Sequence, residues 1–109
     1  MVLERNKAYL ISYQNGGKGR ATYRVVLVTS VRDGIVFATP IRKLAQWEAE
    51  REVCKQLECG FFSKRPNPQT YYAERVKHVK TAVKDYRHYM DAKVKNIVKQ
   101  KLDMVENAR

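Results

Sequence analysis

The sequence predicts an α+β fold in which an N-terminal three-stranded antiparallel sheet is followed by two helices. Three β-rich runs lie in the first 39 residues, and turn sequences that contain glycine separate them. Two prolines further along each follow a side chain that caps helices well, which marks two helix starts. After Pro68 the chain contains neither Gly nor Pro, so the last helix is expected to be long.

The predicted sheet is a β meander that spans residues 1–39. Its strands are expected at residues 8–13, 21–31 and 35–39. Asn15 to Arg20 include three glycines and form the first hairpin loop. The second run is apolar on both faces, which is typical of a central strand or of one that curls into a small SH3- or Sm-like barrel.

The order of these elements resembles the start of WYL domains, the Sm-like ligand-sensing barrels of bacterial regulators. A strand, a Gly-containing loop, the run TYRVVLV, a short turn and the run IVFAT carry the resemblance. The chain lacks the Trp-Tyr-Leu trio of that family, and a helix is predicted at residues 40–58, where the barrel should continue. The chain is therefore assigned to no family.

Both helices are predicted within a single domain of residues 1–109. The first occupies residues 40–59, a connector covers 60–67, and the long basic helix runs over 68–106. Thr39 and Asn67 are the capping residues, and Gly60 is expected to stop the first helix. The buried side of the first helix is predicted from its apolar residues, namely Leu44, Trp47, Cys54 and Leu57.

The long helix carries apolar residues seven apart, at Val76, Val83, Met90 and Ile97. This spacing is that of a coiled-coil seam. At about 1.5 Å per residue the helix would exceed 50 Å, whereas a domain of this size measures only about 30 Å across. Either the helix breaks, or its end overhangs the core and needs a partner, in which case self-association as a homodimer through these four residues is expected.

The net charge of +11 is the dominant feature of the composition. A small soluble domain usually carries a charge of about 2–8, and a positive field of this size attracts polyanions. No apolar run is long enough to span a bilayer, so a membrane is not an expected partner. Cys54 and Cys59 lie five apart in a predicted helix, on different faces, which is a poor geometry for a disulfide. A reducing, cytoplasmic location is expected.

Basic residues concentrate in the last helix, where nine of them lie between Arg75 and Lys101 against two acids. At 100° per residue, most fall on one flank beside the apolar seam, which is the arrangement expected for contact with a phosphate backbone. Lys outnumbers Arg, seven to two, which favours sequence-tolerant contact. The predicted nucleic-acid-binding residues are Lys64, Arg65, Arg75, Lys77, Lys80, Lys84, Arg87, Lys95 and Lys99.

Aromatic side chains lie among and beside these charges. Tyr71, Tyr89 and His88 are candidates for stacking or hydrogen bonding. Phe61 and Phe62 precede Lys64 in the connector and are expected to fold back onto the core. Base stacking is the alternative for these two rings.

The sequence contains no nucleophile signature, no paired catalytic carboxylates and no cofactor fingerprint. Its Cys and His residues fit no common zinc spacing, so neither a metal nor a cofactor is expected. The leading hypothesis is that the chain is a non-enzymatic protein that binds DNA or RNA. A regulatory role is one form of this function. The alternatives are a protein-interaction module or inhibitor that docks on an acidic enzyme surface, and a small ribonuclease that uses Arg75, His78, Arg87 and His88.

Overall fold

The computed structural model describes residues 3–14, 22–80 and 85–108. The chain divides into two units, which we call the sheet unit (Met1–Ile41 with Asn67–Tyr86) and the helical unit (Arg42–Pro66 with Arg87–Arg109). The predicted hairpin loop at residues 15–20 lies outside the described residues, as do Val83 and Lys84.

The described residues confirm the α+β class, and they form five strands instead of three. They are β1 (Ala8–Tyr13), β2 (Thr22–Arg32), β3 (Ile35–Pro40), α1 (Ile41–Gln56), β4 (Gln69–Tyr72), a 3₁₀ helix (Ala73–Arg75), β5 (Val76–Val79) and α2 (Tyr86–Asn107). The first three strands lie where the sequence predicts them. Neither helix is long and apolar enough to cross a membrane.

The prediction of one helix over residues 68–106 is wrong, because its first part forms β4, the 3₁₀ helix and β5. These short runs contain Thr, Tyr and Val, which favour strands. Their backbones pair with the sheet, β4 with β3 and β5 with β1. The pairing also buries Tyr71, which is 2% exposed. Long-range pairing and burial thus override a local pattern that contained no helix breaker.

The sheet is antiparallel, and β2 is its central strand, as predicted, in the order β4-β3-β2-β1-β5. Among the described strands, β4 and β5 form the two edges, so the sheet is open. It is nevertheless curled. Tyr13 on β1 and Tyr71 on β4 meet edge to face, with their ring centroids 5.0 Å apart. In a flat sheet β1 and β4 would be three strand spacings apart, which would separate the two residues by roughly 14 Å.

The core of the sheet unit lies on one face of the curled sheet, because alternate residues of each strand point to the same side. Its buried members are Tyr9, Ile11, Tyr13, Val26, Val28, Val36, Ala38 and Tyr71. A register shift between Val28 and Ser30 bends β2. At this bulge the Thr29 hydroxyl donates a hydrogen bond to the Phe37 carbonyl oxygen at 2.8 Å.

The helix α1 begins at Ile41. Thr39 and Pro40 therefore belong to the end of β3, whereas the sequence predicted that they start the helix. Leu44, Ala45 and Ala49 are buried on α1. Leu57 was predicted to be buried as well, but it lies beyond the end of the helix and is 42% exposed.

The residues of the predicted coiled-coil seam do not lie on one helix. Val76 is on β5 and packs against the core of the sheet unit. Met90 is on α2 and only 3% exposed, and Ile97 is half-buried further along the same helix. The structural basis for self-association through a continuous exposed seam is therefore absent from the described residues.

Candidate nucleic-acid interface

The predicted phosphate-binding residues do not follow one helix, because the fold distributes them between the two units. The sheet unit contains Arg75, Lys77 and Lys80, and the helical unit contains Lys64, Arg65, Arg87, Lys95 and Lys99. Lys84 lies outside the described residues. The single basic stripe expected along a continuous helix is therefore not formed.

In the sheet unit, three of the predicted cations lie just before, on and just after the edge strand β5. Lys77 is exposed on β5, and Lys80 follows it with its backbone N–H bonded to the Leu10 carbonyl oxygen. Arg75 places its guanidinium carbon 5.1 Å from the centre of the Tyr72 ring. Lysines on an edge strand also discourage the addition of a further strand, which is a sufficient structural reason for them.

Two of the aromatic and histidine candidates belong to this unit. Tyr71, predicted to lie among the charges, is a buried core residue instead. His78 is exposed on β5 and pairs in register with Ser12. Of the residues proposed for a ribonuclease, Arg75 and His78 belong to the sheet unit, whereas Arg87 and His88 belong to the helical unit.

Arg87 is neutralised within the helical unit. Its guanidinium donates hydrogen bonds to the two carboxylate oxygens of Glu48 at 3.0 and 2.8 Å. It also donates to the Oδ1 atom of Asp91 at 2.9 and 2.6 Å. These hydrogen bonds, of which those to Glu48 contribute most, raise the pKa of Arg87 above its ordinary value. Arg87 therefore connects α1 with α2 and has little capacity left for a phosphate.

We expect the variant Arg87→Gln to weaken nucleic-acid binding by less than about twofold, because two carboxylates already hold this cation. The free energy of unfolding should fall by about 1 kcal/mol, since the ion pairs lie at the surface. Fluorescence anisotropy with a labelled oligonucleotide and urea unfolding measure the two quantities. A tenfold loss of affinity would instead identify Arg87 as a phosphate ligand.

A groove of about 560 Å³ gathers cations in the helical unit. It is lined by Arg42, Lys43, Gln46, Trp47, Glu50, Ser63, Lys64 and Pro66, and we call it the cationic groove. Within the described part of the chain, none of its three cations forms an ion pair. Its one carboxylate, Glu50, accepts a hydrogen bond from Gln46 at 3.0 Å and lies 3.8 Å from Lys101.

The cationic groove is held together by contacts of Trp47 with the connector. The indole Nε1 of Trp47 donates a hydrogen bond to the Ser63 carbonyl oxygen at 3.0 Å. Phe61 is half-buried and packs on the same indole with its ring centroid at 5.9 Å, so this ring folds back onto α1. Because these contacts fix the connector against α1, Lys64 lies near the first turn of α1. The positive end of the helix dipole adds to the field there.

Phe62 does not fold back as predicted; it is 93% exposed. Its ring lies over Gly60, where a Cβ atom would approach the ring Cε2 atom to 2.8 Å. A second hollow, which Phe62 lines, shares Glu50 and Ser63 with the cationic groove. An exposed aromatic ring therefore lines a hollow that adjoins the cationic groove.

The sequence predicts Arg42 and Lys43, together with Arg24 and Arg32, only as charges that extend the basic surface around the sheet, and it does not link them to Lys64, which lies more than twenty residues away. One local signal was present. Two cations occupy the first turn of α1, where the helix dipole favours acidic side chains, and an unfavourable arrangement of this kind is often functional.

Comparisons of the chain with protein-family models, with curated proteins and with solved structures found no match.

Proposed function

We propose that the protein binds single-stranded nucleic acid, DNA or RNA, without catalysing a reaction on it. The observation that carries the proposal is a groove with three cations that form no ion pair among the described residues, beside a hollow lined by an aromatic ring that is 93% exposed. A single strand offers a partner to each feature, since it presents phosphates in a line and bases whose faces are free to stack.

The cations of the groove are suited to phosphate contact without sequence selection. Lys43 and Lys64 end in ammonium groups, which bind phosphate oxygens as point charges. Arg42 adds a planar fork that can hold two oxygens of one phosphate. Because the groove contains one carboxylate, already shared with Gln46 and Lys101, the local field favours an anion.

Phe62 gives the proposal its preference for single strands. In a duplex the bases stack on one another, so an external aromatic ring finds no free base face. The ring of Phe62 is open to solvent and lies on the same connector as Lys64. A base stacked on Phe62 would therefore have its phosphates within the field of the groove.

The proposal for the sheet unit is that it forms an SH3-like small barrel. The strand order, the long bulged β2 and the 3₁₀ helix between β4 and β5 support it, together with the contact of Tyr13 with Tyr71. The exposed Lys77 and Lys80 of the sheet unit would also attract a polyanion. Their contribution would be smaller than that of the groove cations, because they lie apart from each other at an edge of the sheet.

The proposal is tested by fluorescence anisotropy with labelled oligonucleotides of equal length, in single-stranded and duplex forms of DNA and RNA, at several salt concentrations. We expect tighter binding to single strands. The logarithm of the affinity should fall with the logarithm of salt concentration with a slope of about −2, since three phosphate contacts contribute about −0.7 each.

Equal or tighter binding to the duplex would contradict the role given to Phe62. The absence of binding to every oligonucleotide at low salt would overturn the proposal as a whole. In that case, capture of a partner that survives nuclease digestion would favour the alternative, a module that docks on an acidic protein surface.

Replacement of Phe62 isolates the stacking contribution. The variant Phe62→Ala should bind single strands about 5- to 150-fold more weakly, because stacking on an aromatic ring contributes about 1–3 kcal/mol per base. The salt slope and the free energy of unfolding should not change, since the ring carries no charge and is almost fully exposed.

Two variants serve as controls for Phe62→Ala. Phe62→Trp keeps an aromatic face and should retain the affinity. Met104→Ala removes another apolar side chain that is 70% exposed, on α2, and should leave binding unchanged. An unchanged affinity of Phe62→Ala would show that the groove binds through charge alone.

A further inference from the structure

The turn that follows α1 brings two cysteines together. Glu58 has a positive φ of 56°. Its N–H donates to the Lys55 carbonyl oxygen at 3.3 Å, and the Cys59 N–H donates to the Cys54 carbonyl oxygen at 2.9 Å. These two bonds around a left-handed residue are those of a Schellman motif. The left-handed conformation of Glu58 therefore ends the helix. The sequence predicted instead that Gly60 ends it.

The expectation that Cys54 and Cys59 point to different faces of one helix is consequently wrong. In a Schellman motif the residue after the left-handed position packs against the one five positions earlier, and these two positions are usually apolar. Here both are cysteines. The two residues line the same hollow of the helical unit, and Cys59 is exposed while Cys54 is half-buried.

The turn holds the two cysteines close to each other. A hydrogen bond between the side chains of Cys54 and Cys59, with burial as a smaller cause, raises the pKa of the Cys54 thiol. The backbone bond between the same residues also limits their separation. With standard bond lengths, an N···O distance of 2.9 Å places the Cα atoms no more than about 6.8 Å apart. That separation lies within the range that disulfides span.

We propose that Cys54 and Cys59 form a reversible dithiol–disulfide site whose co-reactant is a small disulfide of the glutathione class. The site rests on the helix-ending turn, on the backbone bond that limits the Cα separation of the two cysteines and on the hollow that both residues line. It is independent of nucleic-acid binding, so that failure of either proposal leaves the other standing.

The chemistry is thiol–disulfide exchange in two steps. The thiolate of the exposed Cys59 attacks one sulfur of glutathione disulfide, whose S–S bond breaks, and one glutathione leaves as a thiolate. Cys54 then gives its proton to water, and its sulfur attacks the Cys59 sulfur and releases the second glutathione. The two protein thiols are oxidised to one disulfide, and glutathione disulfide is reduced to two glutathione molecules.

The test equilibrates the full chain with mixtures of glutathione and glutathione disulfide, blocks free thiols by alkylation and digests the protein with trypsin. Cleavage after Lys55 places the two cysteines in separate peptides, residues 52–55 and 56–64. We expect these peptides to be joined, with the mass of two hydrogens lost, in protein that runs as a monomer on a non-reducing gel.

Single variants assign the order of the steps. Cys54→Ser should stop at a glutathione adduct on Cys59. Cys59→Ser should react at least about tenfold more slowly, because the Cys54 thiol is half-buried. The double variant Cys59→Ser with Gly60→Cys keeps two thiols but moves one out of the Schellman position, and it should form at least about tenfold less of the linked product.

Two outcomes would overturn the proposal. One is glutathione on both cysteines of the native chain without linked peptides. The other is linkage found only in covalent dimers, which would assign the reactivity to contacts between copies. Efficient linkage in the shifted double variant would contradict the role given to the turn.

Discussion

Reversal of the three cations of the groove, by Arg42→Glu, Lys43→Glu and Lys64→Glu together, is expected to reduce the affinity for single-stranded oligonucleotides at least about 100-fold. Each of the three substitutions removes a hydrogen bond to a charged group, and such a bond contributes about 1.5–3 kcal/mol to the binding free energy. Each also places a carboxylate where a phosphate would lie. Anisotropy titrations with a labelled single strand at low salt measure the loss.

The fold should tolerate these changes. Arg42, Lys43 and Lys64 are exposed and form no ion pair among the described residues. Glutamates in the first turn of α1 interact favourably with the helix dipole, by about 0.3–1 kcal/mol each. The free energy of unfolding in urea should therefore be unchanged or slightly higher, so that a loss of binding does not report unfolding.

The matched control reverses three other exposed lysines, Lys80, Lys95 and Lys99, and changes the net charge by the same amount. All three belong to the set predicted from the sequence. We expect a loss of less than about tenfold, since these residues act only through the screened long-range field. Equal losses in the two triple variants would show that overall charge, and not the cationic groove, determines binding.

The largest effect on stability is expected for Tyr71→Ala. The side chain of Tyr71 is 2% exposed, its ring packs edge to face on Tyr13, and its hydroxyl donates to the Gln69 side-chain oxygen at 3.0 Å. Removal of a buried aromatic side chain costs about 3–5 kcal/mol. This is a large share of the roughly 5–15 kcal/mol that stabilises a typical protein. Urea unfolding followed by circular dichroism measures the change.

Two substitutions on β4 bracket this result. Tyr71→Phe keeps the ring and should cost only about 1 kcal/mol, for the lost hydrogen bond. Thr70→Ala changes the neighbouring exposed position and should alter the free energy of unfolding by less than about 0.5 kcal/mol. A loss of less than about 1 kcal/mol in the free energy of unfolding of Tyr71→Ala would contradict the burial of Tyr71. It would favour instead the helix predicted from the sequence, in which Tyr71 lies among the charges.

The charge distribution is the reason why we expect the cationic groove to determine binding more than the total charge does. Both units are positive, since the sheet unit has ten Lys and Arg against four Asp and Glu, and the helical unit twelve against seven. Within the helical unit, however, Glu48 is occupied by Arg87, and Glu50 lies near Lys101. Glu48 and Glu50 of α1 thus compensate cations of α2, whereas Arg42, Lys43 and Lys64 form no ion pair among the described residues.

Part of the candidate site could be predicted from sequence. Lys64 was identified because it follows an aromatic pair and precedes Arg65 in a connector. The two Phe residues, by contrast, are equivalent in sequence, and only the contact of Phe61 with Trp47 decides that Phe62 is the exposed one. The cysteine pair was misjudged because the continuation of a helix beyond Gln56 was assumed.

By itself, the sequence determined the features that depend on neighbouring residues. The β-branched runs and their turns specify β1, β2 and β3, and the excess of Lys and Arg specifies a positive molecule. Only the tertiary structure decided that residues 69–79 pair as edge strands and that Lys64 lies beside Arg42. The physical reason is that backbone hydrogen bonds between distant strands, and burial of side chains such as Tyr71, outweigh local preferences worth less than about 1 kcal/mol per residue.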